Sequence, residues 1–244
     1  MKDLFSQHSF GYKQARPHYS IQIIEEILKY VPELGFAWDC GAGSGQLTQL
    51  LAPYFDHVVA TDISAAQLQH APYFENVSYQ LQPAEQTSIP TQSIDLVTVA
   101  QAIHWFNFDA FYAEVKRVLK PHGVIAVIGY GLIQVQKVEV HDLIEQLYAE
   151  TLNGYWEPER RYIDEQYQTI SFPFHEYPVP QLSLNYSWTA QQLLAYLKTW
   201  SALQHYQTIH SDDPLQHLAQ ALTDAPERFS VTFPIWLRIG TVLA

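Results

Sequence analysis

Residues 36–46 read Phe36-Ala37-Trp38-Asp39-Cys40-Gly41-Ala42-Gly43-Ser44-Gly45-Gln46. A short apolar run ends in an acid and then breaks into alternating glycines. Glycine adopts backbone angles closed to other residues and lets a ligand approach without a Cβ in the way. Residues 46–52 suit a helix whose N-terminus faces that ligand. Helix N-termini favour electron-rich groups such as a phosphate, a carboxylate or a polar ribose edge. A strand, a glycine turn and a helix at the start of a βαβ unit therefore predict a nucleotide-type cofactor site.

Outward from that turn, the hydrophobic pattern alternates between strand and helix. Ser20 is placed to cap a helix with Ile21, Ile24, Ile27 and Leu28 on one face, ended by Pro32. Further strands are expected at 57–61, 77–81, 94–100 and 124–128, and helices at 64–70 and 108–119. This alternation implies an α/β fold: a Rossmann-like, mostly parallel seven-stranded sheet with helices on both faces and an inserted helical cap. Ligands of such sheets bind beyond the carboxyl ends of the strands. Asp39, Asp62 and Gln101 each fall at such an end, which places them on one rim.

The pattern changes after Tyr130. Helical stretches at 138–152, 190–200 and 214–222 surround a proline-punctuated extended stretch at 173–180. The expected division is a cofactor-binding core with an N-terminal lid over 1–130, a predominantly helical substrate cap over 131–225, and final strands over 226–244. Those strands are expected at 229–233 and 235–242, turning as a hairpin at Pro234.

Composition bounds the function. The 244 residues, 48% hydrophobic, support a large core. A net charge of −12 with 13 Lys and Arg shows no basic footprint for nucleic acid. A single cysteine, Cys40, forms no internal disulfide and points to a reducing compartment. The first residues carry no apolar core of signal-peptide length, and no apolar run reaches membrane-spanning length. A soluble, cytoplasmic protein without nucleic-acid or membrane partners is expected, as monomer or homodimer. No metal site is expected, since His205 and His210 miss the i, i+4 spacing of a ligand pair.

Asp62 follows Gly41 by 21 residues, a position suited to a bidentate grip on a ribose diol. NAD-binding and S-adenosylmethionine-binding proteins share that spacing. A dinucleotide turn is G-x-G-x-x-G, whereas Gln46 stands here in place of the last glycine and Asp39 precedes the first. The pattern favours S-adenosylmethionine and leaves a dinucleotide as the alternative.

Asp39-Cys40-Gly41-Ala42-Gly43-Ser44-Gly45 resembles motif I of class I S-adenosylmethionine-dependent methyltransferases. Asp62-Ile63-Ser64 resembles their ribose-binding acid and its neighbours. Pro83-Ala84-Glu85 resembles the stretch that borders the adenine. Ile94-Asp95-Leu96-Val97 with Gln101-Ala102-Ile103-His104-Trp105-Phe106 resembles their fourth strand and its loop, and Val118-Leu119-Lys120-Pro121-His122-Gly123 the turn before the fifth. Tyr12-Lys13-Gln14-Ala15-Arg16-Pro17, the His104-Trp105-Phe106 run and Leu197-Lys198-Thr199-Trp200-Ser201-Ala202 are similar to the small-molecule branch that includes trans-aconitate methyltransferases.

This resemblance implies S-adenosyl-L-methionine as cofactor. Its contacts are expected at Arg16, Asp39, Gly41, Ala42, Gly43, Asp62, Ile63, Ala84, Glu85 and Gln101, with Asp39 either near the cofactor ammonium or bracing the turn. His104 is the candidate catalytic residue, to orient or deprotonate the acceptor. Trp105, Trp156, Arg161 and Trp200 are candidate acceptor contacts, and Arg16 and Arg161 suit an anionic acceptor. The Asn-Pro-Pro-aromatic motif of exocyclic-amine methyltransferases is absent, and Cys40 lies inside the glycine turn, away from any role as nucleophile. The expected activity is methyl transfer to a small molecule, as O-methylation of a carboxylic acid. The alternatives are a methyltransferase-fold protein that binds cofactor or a partner without transfer, and an RNA methyltransferase.

Overall fold

The computed structural model describes residues 15–223 and 226–242. Its frame is the parallel run of β3 (Val77–Leu81), β2 (His57–Asp62), β1 (Phe36–Cys40), β4 (Ile94–Ala100) and β5 (Leu119–Tyr130), in that order. β4 and the second half of β5 are almost wholly buried, as expected of parallel strands covered on both faces. The order reverses at β1, between β2 and β4, and opens the crevice where such sheets bind ligands.

β9 (Phe229–Thr241) lies antiparallel beside β5 and has neighbours on both edges. β5 and β6 (Gln134–Val135) share one edge; β7 (His175–Tyr177) and β8 (Leu182–Trp188) share the other. The sheet therefore has nine strands, not seven. The expected hairpin at Pro234 is one continuous strand. Gly131 N–H donates to the Pro234 carbonyl at 2.9 Å, so the missing proline N–H falls at the break between β5 and β6, where no ladder bond is lost.

Among the described residues, α1 (Ile21–Leu28), α2 (Thr48–Leu51), α3 (Ala65–Leu68) and α4 (Phe108–Val118) belong to the first half. Ser20 caps α1 by accepting from Gln22 N–H at 3.1 Å, and Asn107 caps α4 by accepting from Ala110 N–H at 3.2 Å. The helix expected over 46–52 is reduced to α2, because turns occupy the residues before Thr48.

Two apolar cores flank the sheet. One holds Ile23, Ile24 and Ile27 of α1 together with Ile144, Leu152, Trp200 and Leu203. The other holds Phe111 and Val115 of α4 together with Ile163, Tyr167, Ile170 and Phe174. The chain thus passes from one face of the sheet to the other between Leu152 and Ile163. The second half also supplies α5 (Val138–Gln146), α6 (Arg161–Asp164), α7 (Ala190–Leu197), α8 (Ser201–Ile209) and α9 (Gln216–Ala221). Residues 131–223 are thus tied into the sheet through β6, β7 and β8. No helix among the described residues is long and apolar enough to cross a membrane.

Candidate active site

The glycine turn is shaped by left-handed backbone. Gly41 has φ +70° and Gly43 φ +55°. A Cβ on Gly41 would lie 2.6 Å from the Cβ of Ala102, so this glycine lets the turn close on the loop after β4. A Cβ on Gly43 would meet no atom nearer than 3.9 Å, so that backbone stands open toward a ligand. Gly41 and Ala42 N–H both donate to the Thr61 carbonyl, at 2.9 and 3.0 Å, which locks the turn to β2.

Two acids hold this turn from different sides. Asp39 is 1% exposed beneath it. Thr48 Oγ1 donates to one carboxylate oxygen at 2.6 Å and Thr98 Oγ1 to the other at 3.0 Å. Burial raises its pKa to about 6, against the two hydroxyl bonds that lower it. The structure therefore places Asp39 as a brace between β1, α2 and β4. Asp62, at the end of β2, accepts Gly43 N–H at 2.8 Å on one oxygen and Ser64 N–H at 2.8 Å on the other. It lies at the rim, beside the glycine turn. Ile63 lies between Asp62 and Ser64 on the same rim. Ala84 is buried, and Glu85 accepts Asn107 N–H at 3.0 Å, joining the loop after β3 to the cap of α4.

The loop after β4 carries the next group. Gln101 has φ +52°, rare for a residue with a side chain. Its Nε2 donates to the Tyr130 carbonyl at 3.1 Å. Ile103–Trp105 form a 3₁₀ turn. There His104 is 6% exposed, its Nδ1 3.1 Å from the Tyr167 hydroxyl. Burial, and then the charge of Arg160, lower its pKa to about 3, so the imidazole is neutral. Trp105 packs against the His104 ring with centroids 4.8 Å apart.

Arg160 arrives with the segment that crosses the sheet. Its 3₁₀ turn, Pro158–Arg160, packs against Ile103–Trp105. The guanidinium lies over Trp156 at 5.1 Å and Tyr148 at 5.4 Å, and Nε donates to the Tyr148 hydroxyl at 2.9 Å. Its two terminal nitrogens have no hydrogen-bond partner among the described residues. Trp200 completes the aromatic wall, 5.4 Å from Trp156 and 5.7 Å from Tyr148, and is itself buried.

Arg161, expected to contact the acceptor, lies next to Arg160 on the other side of the turn. It is exposed and donates to the neighbouring Tyr162 hydroxyl. The helical phase of the turn sends Arg160 inward and Arg161 outward. Arg16 holds the chain entry: it donates to the Tyr130 hydroxyl and the Thr199 carbonyl, both at 3.0 Å, and lies over Tyr196. Residues 12–14 of the motif around it lie outside the described residues. Tyr148, Arg160 and Tyr167 were not singled out from the sequence. Among the described residues no group of three His, Cys, Asp or Glu side chains is placed to hold a metal ion.

Comparison with known proteins agrees with this geometry. Residues 38–127 match the family model of the methyltransferase domain. The chain is 35% identical to a methyltransferase of Dictyostelium discoideum, covering 96% of this chain and 93% of that one. It is 31% identical to an S-adenosylmethionine-dependent methyltransferase of Saccharomyces cerevisiae, over 61% of this chain and 50% of that one. A solved type II methyltransferase of Anaeromyxobacter dehalogenans superposes with a TM-score of 0.87 at 39% identity, covering 93% and 98% of the two chains. All three carry their names provisionally. The fold and rim define a Rossmann-like enzyme that takes a nucleotide-type cofactor. The chain belongs to the class I S-adenosylmethionine-dependent methyltransferases, and S-adenosylmethionine is its cofactor. The open Gly43 backbone and the rim carboxylate of Asp62 fit that group.

Proposed function

We propose that this methyltransferase acts on a small organic acid and forms a methyl ester at its carboxylate, within the branch that resembles trans-aconitate methyltransferases. The observation that carries this reading is Arg160, a guanidinium fixed at Nε between two aromatic rings with both terminal nitrogens left for an anion. A planar fork of this kind matches a carboxylate in two parallel charge-assisted bonds. Tyr148, Trp156 and Trp200 make the surrounding wall apolar, which strengthens such bonds.

When bound, S-adenosylmethionine supplies an electrophilic methyl group. The protein must hold the acceptor oxygen toward it and exclude water, and such positioning contributes about 7–11 kcal/mol. Gly41, Ala42, Gly43 and Asp62 would hold the cofactor at the rim, beside Ala84 and Glu85. Neutral His104, with its low pKa, is a weak base at neutral pH. A carboxylate arrives ionised and needs no base, so His104 orients the acceptor instead of deprotonating it.

The test is incubation with S-adenosylmethionine and a panel of small carboxylic acids and phenols, read by mass spectrometry. Methylated products that alkali hydrolyses back to the acid support ester formation. Alkali-stable ethers alone, or no methylated acid, would overturn it.

A further inference from the structure

We propose that Gln101 and Tyr167 are positioning residues that hold His104 as its Nδ1–H tautomer, leaving the Nε2 lone pair for an O–H or N–H donor of the acceptor. The inference rests on the methyltransferase site described above and deepens the acid reading without depending on it.

The direction of the relay is set by a group that cannot reverse. The Tyr130 carbonyl only accepts, and Gln101 Nε2 donates to it at 3.1 Å. This turns Gln101 Oε1 toward Tyr167, whose hydroxyl donates to it over 3.5 Å. Tyr167 has one hydroxyl proton. With that proton committed, its oxygen accepts from Nδ1 of His104 at 3.1 Å. The ring proton of the neutral imidazole therefore sits on Nδ1. The opposite direction would set two acceptors, the Tyr167 oxygen and Gln101 Oε1, against each other. His104 Nε2 has no partner among the described residues.

The surroundings hold this relay in place. Tyr167 is fully buried, and Gln166 and Tyr167 have φ of +58° and +59°, a left-handed pair that non-glycine residues rarely adopt. Arg238 fixes that bend by donating to the Tyr167 carbonyl at 2.9 Å and the Ile170 carbonyl at 2.8 Å. Glu176 pairs with the same guanidinium through both oxygens, each at 2.8 Å.

The tautomer bears on the acceptor. An Nε2 lone pair repels a carboxylate oxygen and accepts from a hydroxyl. An acid with an O–H group beside its carboxylate satisfies Arg160 and His104 together, whereas a bare carboxylate satisfies Arg160 alone.

The experiment is two-bond ¹H–¹⁵N correlation on the full chain labelled with ¹⁵N-histidine, with the His104 signals assigned by their loss in His104→Gln. The wild type is expected to show protonated Nδ1 and unprotonated Nε2. Tyr167→Phe, which removes one hydroxyl, and Gln101→Asn, which withdraws the acceptor, are both expected to move the proton toward Nε2. Melting temperature and cofactor binding report whether each variant is folded. Protonated Nε2 in the wild type, or an Nδ1–H signal unmoved in either folded variant, overturns the proposal. The wild-type spectrum can overturn it alone. An Nδ1–H wild type that methylates no acid would uphold this inference while the ester reading failed.

Discussion

The ring of Tyr167 occupies the space that a side chain on Gly129 would need. A Cβ at Gly129 would stand 2.6 Å from Tyr167 Cε2 and 3.1 Å from Cζ. Glycine near the C-terminal end of β5 thus admits a buried ring from a segment that lies far along the chain. Gly129→Ala should destabilise by about 1–3 kcal/mol, the usual cost of overpacking. The loss of unfolded-state entropy, about 0.4–1 kcal/mol in favour of alanine, offsets part of this. Urea unfolding measures it, and an unchanged or raised stability would refute the packing argument. Activity should fall with it, because the displaced hydroxyl is the one that meets His104.

Arg160 and Arg161 are adjacent and should differ sharply. Arg160→Leu should weaken an acid acceptor by about 1.5–3 kcal/mol, the range for hydrogen bonds to charged groups. Steady-state kinetics should show this as a raised KM, with cofactor affinity by calorimetry unchanged. Arg161→Gln should leave both parameters alone, since Arg161 is exposed. Equal effects from the two substitutions would remove Arg160 from the site.

Asp62 ties the glycine turn to the rim through Gly43 and Ser64. Asp62→Ala should lower S-adenosylmethionine affinity by about 1.5–3 kcal/mol, from charged hydrogen bonds lost directly and through the loosened turn. Isothermal calorimetry measures this. Unchanged binding would place the ribose contact elsewhere.

Buried His104 makes stability depend on pH with a definite sign. Its pKa falls from 6.5 to about 3 on folding, so between those values the unfolded chain binds the extra proton. Its contribution is present above pH 6.5 and is lost as pH falls, by about 1.4 kcal/mol per unit. Asp39 acts in the opposite sense. Its pKa rises from 3.8 to about 6, so its contribution is lost as pH rises through that window. The two slopes nearly cancel between pH 4 and 6 in the wild type. His104→Gln should uncover the Asp39 slope, and the stability difference between wild type and variant should shift toward the variant by about 2 kcal/mol from pH 6.5 to 5. Urea titrations at both pH values measure it; a difference independent of pH would mean that His104 is not held neutral.

Much of the cofactor half was legible because its signals are local. Gly41 and Gly43 announce a turn through backbone freedom, Asp62 follows at a fixed spacing, and β1, β2, β4 and β5 each carry a short, largely apolar stretch. The final strands were harder. Pro234 signals a turn in sequence, yet β9 runs through it because its missing N–H faces a gap that only the assembled sheet creates. β8 places Leu182, Leu184, Tyr186 and Trp188 at alternate positions, a period-two strand pattern set between helical ones.

The sequence by itself determined the glycine turn, the carboxyl rim and the cofactor, since each rests on residues near one another in the chain and on the pattern of buried strands. The tertiary structure decided which arginine turns inward, that Asp39 braces rather than faces the cleft, and that Tyr167 reaches His104. Those outcomes depend on helical phase, on burial, and on a segment that crosses the sheet more than fifty residues after the loop it completes. Local sequence carries no record of such contacts, because packing between distant segments fixes them.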